Sequence, residues 1–342
     1  MHYGRTRVLP LPAGALTMPT DTNHYVQAVL ERNRRMVAKT ITLVESALPE
    51  HQAQARDILN ELLPHTGSAI RVGITGVPGA GKSTFIESLG ILLIEKGRRV
   101  AVLAVDPSSK RSGGSVLADK TRMEKLAARQ EAFIRPCPSG GTLGGVAQKT
   151  REASLVCEAA GFDIIIIETV GVGQSETAVA TMVDFFLLLM IAGAGDELQG
   201  IKKGILELVD AIVINKADGD NIPKAQRAQH DYAAAMHFLR PSTPTWSPPV
   251  LTCSALETRG IDTLWQTVLD HRRKLSETGE MKEKRRSQAL DWMWMLIEEG
   301  LKEKFRANSK IKKLLPRIIR DIEKGIASPT EAAGELLKLM DN

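Results

Sequence analysis

The chain has few cysteines and few aromatic residues. Its 342 residues include three cysteines, Cys137, Cys157 and Cys253, and Phe, Trp and Tyr together make up 4%. Three widely spaced cysteines exclude a disulfide framework and a site of closely spaced thiols for zinc, and they indicate a reducing compartment. The scarcity of aromatic rings argues against a stacking platform for single-stranded nucleic acid.

Long apolar runs are missing as well. The longest run covers positions 185–192, whereas a membrane-spanning helix needs about 20 apolar residues. Near the start, Arg5 and Arg7 precede only a short stretch broken by prolines, which is not typical of a secretory signal. We therefore expect a cytoplasmic protein without membrane insertion, with a flexible tail over residues 1–23.

The charge is nearly balanced, and its excess is local. The chain carries 45 Lys and Arg against 40 Asp and Glu, and positions 271–324 alone hold 16 basic and nine acidic residues. Mixed charge runs usually solvate helices. We interpret this zone as a solvated helical surface and expect no nucleic-acid partner, with a nucleic-acid or lipid surface as the alternative.

Three zones follow one another along the chain. Apolar residues spaced by three and four predict an N-terminal helical extension over 24–66, in which Pro49 ends the first helix. From 67 to 278, apolar strands alternate with helices, which predicts a doubly wound α/β domain with a mostly parallel sheet. Residues 279–342 form a C-terminal helical extension, whose last helix is capped by Ser328. The strands are expected at 71–75, 100–105, 133–135, 163–168, 185–191, 211–215 and 250–252.

The most specific motif is GVPGAGKST at positions 76–84. It matches G-x-x-x-x-G-K-[ST] between a predicted strand and a predicted helix, where glycines let backbone N–H groups converge on phosphate oxygens. Lys82 is expected to reach the β- and γ-phosphates, and the Ser83 hydroxyl to bind Mg²⁺. The candidate phosphate-binding residues are Gly76, Gly79, Ala80, Gly81, Lys82, Ser83 and Thr84.

A second motif selects the base. Asn215, Lys216 and Asp218 belong to NKAD at positions 215–218, at the end of an apolar strand, which is where ligands bind in open α/β sheets. A carboxylate there can accept hydrogen bonds from N1 and N2 of guanine, whereas adenine would leave it unpaired. Ser254 and Ala255, after the next strand, are expected to offer a backbone N–H to guanine O6. The pattern predicts GTP rather than ATP.

Acidic residues between these motifs predict a metal and water site. Asp106 and Glu168 end strands, and Asp119 follows a glycine-rich loop. Carboxylates near a triphosphate are natural partners of Mg²⁺, which bridges β- and γ-oxygens. Lys82, Asp106, Asp119 and Glu168 are therefore the candidate catalytic residues, and Ser83 with the three carboxylates the candidate metal ligands. Val172 follows Gly171 where a water-positioning glutamine is common, and Gln174 is displaced, so we expect slow intrinsic hydrolysis.

Together these motifs resemble those of the MeaB/ArgK-type GTPases, whose human relative is the methylmalonic aciduria type A protein. The resemblance covers residues 24–342 approximately. The segments that carry it are DPSS at 106–109, GGS at 113–115, DKTRM at 119–123, ETVGVGQSE at 168–176, GDELQGIK at 195–202 and NKAD at 215–218.

The resemblance implies more than the spacing does. Members of this family are GTP-driven chaperones that gate adenosylcobalamin loading and protect a cobalamin-dependent acyl-CoA mutase, chiefly methylmalonyl-CoA mutase. They are homodimers joined through the C-terminal extension. By motif, the resemblance assigns Arg122 and Gln174 to the switch residues. It assigns Gln199 and Lys202 to a third switch segment, which senses the mutase.

Two alternatives stay open at this point. One is an ATPase or kinase serving transport of lysine, arginine and ornithine, which predicts a preference for ATP. The other is a metal-insertion GTPase for nickel enzymes, which predicts a His-rich or Cys-rich tract that the sequence lacks.

Overall fold

The described residues form a central parallel sheet of seven strands. The computed structural model describes residues 21–106, 123–138, 143–169, 175–193, 203–237 and 243–340. The strands pair in the order β3-β2-β4-β1-β5-β6-β7, and each pairing is parallel. They lie where the sequence predicted strands, which confirms the doubly wound α/β fold class. The strands are β1 (Ile70–Gly76), β2 (Val100–Asp106), β3 (Ala132–Pro138), β4 (Ile164–Thr169), β5 (Phe185–Ile191), β6 (Ala211–Asn215) and β7 (Val250–Thr252).

Helices connect the strands and extend the chain at both ends. Within the described residues no helix is both long and apolar enough to cross a membrane. The connecting helices are α4 (Lys82–Glu95), α5 (Glu124–Ala127), α6 (Leu143–Ala159), α7 (Ser175–Ala180), α8 (Lys203–Leu206), α9 (Ile222–Met236) and α10 (Ile261–Glu277). The terminal helices are α1 (Thr22–Leu30), α2 (Arg34–Glu45), α3 (Pro49–Leu62), α11 (Glu280–Ala307), α12 (Ser309–Glu323) and α13 (Pro329–Lys338).

Both faces of the sheet are covered, as the isoleucine run of β4 predicts. Ile165 and Ile167 point into a cluster that includes Val37 of α2. Ile164 and Ile166, on the other face, belong to a cluster with side chains of α4 and α10. Because successive residues of a strand face opposite sides, a strand buried on both faces has to be apolar throughout.

The N-terminal helices differ from the prediction. The sequence predicts a single helix up to Pro49, but α1 ends at Leu30 and α2 begins at Arg34. Between them Arg32 adopts a left-handed conformation with φ 64°, and the Asn33 side chain caps α2 by accepting from the Met36 N–H at 3.2 Å. Pro49 starts α3 rather than ending a helix, since a proline in the first turn removes no helical hydrogen bond.

The C-terminal helices are partly as expected. Helix α11 ends at Ala307, and Ser328 caps α13 by accepting from the Glu331 N–H at 3.1 Å. Helix α12 was not predicted as a separate element. It contains Pro316, and a proline inside an apolar pattern usually signals a helix end.

The first turns of α11 are attached to the amino-terminal edge of the sheet. Arg285 binds the Asp184 carboxylate, which precedes β5, with distances of 2.8 and 2.7 Å. Lys284 reaches Asp210, before β6, at 3.2 Å, and the Gln288 amide donates to the Val183 carbonyl at 2.9 Å. Burial by itself would raise the pKa of Asp184, but the hydrogen bonds and charge of Arg285 outweigh it and hold that pKa below its ordinary value.

Removal of Arg285 is expected to destabilise the fold. In Arg285→Ala the Asp184 carboxylate loses its cation while buried, so the free energy of unfolding should fall by about 3 kcal/mol. The neighbouring Arg286→Ala removes an exposed guanidinium paired with Glu283 and should leave stability unchanged in urea unfolding.

The same substitution tests the pH dependence. The lowered pKa of Asp184 means that its stabilising contribution is present above the unfolded pKa of about 3.9 and is lost as pH falls through the folded value. The wild-type protein should therefore lose more stability than Arg285→Ala on acidification. Equal losses in both proteins would contradict this assignment.

Candidate nucleotide-binding site

The predicted phosphate-binding loop joins β1 to α4 at the carboxyl edge of the sheet. Gly81 caps α4 with φ 85°, a conformation that glycine adopts without strain. A side chain at Gly76 would place its Cβ 2.1 Å from the Leu189 carbonyl oxygen. Glycine at both positions therefore lets the loop pass close to β5 and turn into the helix, so that Lys82, Ser83 and Thr84 form its first turn.

Lys82 lies across this loop. Its Nζ donates to the Gly76 carbonyl at 2.7 Å and to the Val77 carbonyl at 3.3 Å. Burial lowers the pKa of Lys82, and the charges of Glu168 and Glu176 act in the opposite direction. The loop lysine and the carboxylate at the end of β4 are therefore electrostatically coupled, as a site for phosphate and cation requires.

Asn215 links the phosphate loop to residues 253–259 after β7, which we call the base loop. Its Nδ2 donates to the Ala80 carbonyl at 2.8 Å, and its Oδ1 accepts from the Ala255 N–H at 3.0 Å. The side chain is buried, and Cys253 Sγ lies 3.4 Å from Oδ1. Both ends of the Asn215 amide thus bind protein groups, so this residue positions the two loops.

Asp218 is held by the base loop, a contact that the sequence did not predict. The Ser254 hydroxyl donates to Asp218 Oδ2 at 2.6 Å and accepts from the Glu257 N–H at 3.1 Å. Asp218 is half-buried. A carboxylate fixed through one oxygen has a defined orientation for accepting further N–H donors.

The expected contact of a Ser254 or Ala255 backbone N–H with guanine O6 stays a prediction, and both N–H groups have partners within the protein. The Ser254 N–H donates to the Arg259 carbonyl at 2.9 Å, and the Ala255 N–H donates to Asn215. Both amides are engaged within the protein, since the loop closes on itself and on Asn215. In this structure the two residues position Asp218 and the loop.

Lys216 follows the end of β6 in a left-handed conformation with φ 59°. This conformation is rare for residues other than glycine and is common at functional sites. Its side chain is exposed, and its Cε lies 4.0 Å from the point where a Cβ on Gly81 would stand. Lys216 therefore passes beside the phosphate loop.

The candidate metal and switch residues are described only in part. Glu168 is half-buried at the end of β4, beside Thr169, whose hydroxyl donates to the Thr75 hydroxyl at 2.8 Å. The pairing of β2 with β4 brings the backbone of Asp106 to the same edge. No group of three His, Cys, Asp or Glu side chains that could hold a metal is found in the described portion of the chain. The Asp106 side chain and Asp119, Arg122, Gln174, Gln199 and Lys202 lie outside the described residues.

Sequence reasoning missed three supports of the site. The Ser88 hydroxyl of α4 donates to the Ala255 carbonyl at 2.7 Å, and Arg259 donates to the Ala217 carbonyl at 3.2 Å. Glu176, buried at the start of α7, contributes to the charge around Lys82. Only Glu176 has a signal in the sequence, because it ends the ETVGVGQSE segment, while Ser88 and Arg259 lie outside every motif.

A family model described as "Methylmalonyl Co-A mutase-associated GTPase MeaB" matches residues 37–310. The chain belongs to this family. It is accordingly a P-loop GTPase, and the match spans the phosphate loop, the base loop and α11.

Several known proteins are similar to this chain over most of its length. "GTPase ArgK" of Escherichia coli is 48% identical over 311 residues, which cover 91% of this chain and 94% of that protein. The mouse protein "Methylmalonic aciduria type A homolog, mitochondrial" is 46% identical over 320 residues, or 91% of this chain and 77% of that protein. The crystal structure of a protein named "LAO/AO transport system kinase" superposes with a TM-score of 0.76 at 40% identity, covering 96% of this chain and all of that one.

Loss of the Asn215 amide should loosen both loops. Asn215→Ala leaves the Ala80 carbonyl and the Ala255 N–H without their partner, which costs about 1–3 kcal/mol for a buried polar group. We expect a lower melting temperature and an affinity for GDP about tenfold weaker or worse. Asn221→Ala, which removes an exposed hydrogen bond to the Lys216 carbonyl, is the matched control. Equal nucleotide affinity of the two variants in fluorescence titration would show that Asn215 has no special role.

Proposed function

We propose that this GTPase hydrolyses GTP to GDP and phosphate as a chaperone that gates adenosylcobalamin loading and protects a cobalamin-dependent acyl-CoA mutase, such as methylmalonyl-CoA mutase. The observation that carries the proposal is the family match over residues 37–310, together with a phosphate loop and a base loop joined through Asn215. We also propose a GTPase domain at 67–278, a C-terminal extension at 279–342 and a helical extension up to 66, which begins with α1 at Thr22 rather than at 24. Most of the expected tail at 1–23 lies outside the described residues, which begin at 21.

Guanine recognition rests on Asp218. An ionised carboxylate only accepts hydrogen bonds, and N1–H and N2–H of guanine are adjacent donors that suit its two oxygens. The corresponding edge of adenine carries an acceptor nitrogen and would face the carboxylate unfavourably. The Ser254 hydroxyl supports the required orientation, and we expect the exposed Lys216 side chain to lie along the base.

Hydrolysis depends on charge stabilisation by the phosphate loop. Backbone N–H groups at the start of α4, together with the helix dipole, favour bound phosphate oxygens. Lys82 adds a positive charge where negative charge develops on the γ-phosphate. The protein thus binds and orients the triphosphate and an attacking water, with Asp106, Asp119 and Glu168 as the candidate water partners.

The donor set around the loop fits Mg²⁺, which prefers oxygen ligands. The Ser83 hydroxyl and the Glu168 carboxylate, with Asp106 and Asp119, would hold the ion. When bound, Mg²⁺ supplies neutralisation of the β- and γ-phosphate charge. Glu168 already opposes the effect of burial on Lys82, so a carboxylate is present near the place where a cation and a phosphate would meet.

Helix α11 supports the proposed homodimer. Beyond its anchored first turns it exposes Leu290, Trp294, Ile297 and Leu301, which recur at spacings of four, three and four and so share one face. An exposed apolar face of this kind is typical of an interface, and the mass measured by sedimentation would test whether two chains associate.

The switch residues Arg122, Gln174, Gln199 and Lys202 are proposed to report the nucleotide state to the mutase in the cytoplasm.

A second candidate function is a kinase or ATPase linked to basic amino-acid transport, which the name of the solved relative suggests. The two candidates differ in the base they select. Side-by-side titration with GTP and ATP separates them, since the arrangement of Asp218 and Ser254 favours GTP.

Changing Asp218 should change the base. In Asp218→Asn an amide can offer an N–H toward position 2 of the base, where xanthine carries an oxygen and guanine a donor. We expect the affinity for GDP to fall about a hundredfold and that for xanthosine diphosphate to rise. Asp220→Asn, an exposed change two residues away, should leave both affinities as they are. Guanine binding by Asp218→Asn at wild-type strength would refute the proposed base contact.

The mutase partnership is testable by capture. Purified methylmalonyl-CoA mutase should bind the immobilised chain more tightly in one nucleotide state, GDP or a non-hydrolysable GTP analogue, by a factor of about ten, typical of allosteric coupling. Asp218→Asn in the presence of guanine nucleotides is the control, because it should not respond to them. If neither state captures the mutase, the chaperone role is wrong while GTP hydrolysis stands.

A further inference from the structure

One face of α12 carries a row of positive charge. Lys310, Lys313, Arg317 and Arg320, with Lys324 at the C-cap of the helix, recur at spacings of three, four, three and four residues, and all five side chains are exposed. Residues at this spacing lie along one side of a helix. At 1.5 Å per residue the row is about 21 Å long. We call these five residues the basic stripe.

The apolar face of α12 is already covered. Ile311 and Ile318 are buried in a cluster with Ala332 and Leu336 of α13. A helix that lies in a lipid interface needs its apolar face free for burial among acyl chains. Because α12 packs that face against α13, Ile319 is the one large apolar side chain that α12 exposes among the described residues. A single such side chain is too little for a lipid interface, which disfavours a membrane as the occupant.

The basic stripe is also weakly neutralised. Among the described residues, Arg317 is the one member with an ion pair, to Asp321 at 3.6 Å, and the Arg317 side chain remains 75% exposed. An exposed pair of this kind contributes little. Like charges that face one another along a helix repel, so a partner that supplies negative charge along the row would relieve the repulsion.

We propose that the basic stripe docks an acidic helix of a partner protein, with carboxylates at the same alternating three- and four-residue spacing. This spacing is the seam along which two helices pack at a shallow angle, so a straight helix can match all five cations. The phosphates of a nucleic-acid duplex follow a curved path instead, and no aromatic residue stands within 309–323 to contact bases. The inference does not depend on the identity of the mutase.

A designed peptide tests the docking site directly. The probe is a labelled synthetic helix with glutamates at the spacing of the basic stripe, compared with a peptide of identical composition whose glutamates are distributed around the helix. Using the full chain and fluorescence anisotropy in low salt, we expect the ordered peptide to bind about tenfold more tightly than the scrambled one. Binding should weaken towards physiological ionic strength, where the Debye length is about 8 Å.

Matched charge reversals locate the site. The triple variant Lys313→Glu, Arg317→Glu, Arg320→Glu should lose at least about tenfold in affinity for the ordered peptide, because attraction becomes repulsion. The control variant Arg56→Glu, Lys224→Glu, Arg227→Glu makes the same change in net charge at exposed positions of α3 and α9 and should retain binding. If the first triple does not fold, Lys313→Gln, Arg317→Gln, Arg320→Gln takes its place with a smaller loss.

Three results would overturn the proposal. The first is equal binding of ordered and scrambled peptides, which would reduce the stripe to a solvated surface. The second is an equal loss in both triple variants, which would indicate net charge alone. The third is that the basic stripe binds a DNA duplex, or vesicles containing phosphatidylserine, more tightly than it binds the ordered peptide. That result would indicate a different class of partner.

Discussion

The buried amide of Asn215 is the interaction on which the site depends. It binds a carbonyl of the phosphate loop with one end and an amide of the base loop with the other. Two loops that are far apart in the chain thereby keep a fixed separation, and a nucleotide needs such a separation because its phosphates and base are joined by a ribose of fixed size. Preorganisation of this kind lowers the ordering cost of binding.

The parallel sheet brings the phosphate loop and the base loop together at its carboxyl edge. The carboxyl ends of β1, β4 and β6 supply the phosphate loop, Glu168 and Asn215, while Asp184 and Asp210 at the opposite edge are bound by α11. The sheet therefore separates nucleotide binding from attachment of the C-terminal helices. Helix α7 joins the two edges, because Glu176 at its start lies near Lys82 and the chain after Ala180 leads to Val183 and Asp184.

Much of this arrangement can be predicted from the sequence, and the parts that cannot be predicted have physical causes. Strand positions follow from apolar runs such as the isoleucines of β4, and the phosphate loop from its glycines and lysine. The break at Arg32 depends on a left-handed conformation at a residue other than glycine, so no glycine marks it in the sequence. Helix α12 continues through Pro316, although a proline usually signals a helix end. The partners of Ser254, Ala255 and Arg285 are tertiary contacts between distant segments, which local periodicity and motif spacing do not contain.

The ion pairs between α11 and the amino-terminal edge of the sheet also constrain the order in which the chain folds during synthesis. Arg285 lies 101 positions after Asp184, and Lys284 lies 74 positions after Asp210. At a synthesis rate of about 5–20 residues per second, both aspartates are made several seconds before the Lys and Arg that pair with them. Until then Asp184 and Asp210 lack these two cations, so the contribution of both ion pairs to stability is absent. The C-terminal extension at 279–342 thus completes a core whose described strands have all been made before it.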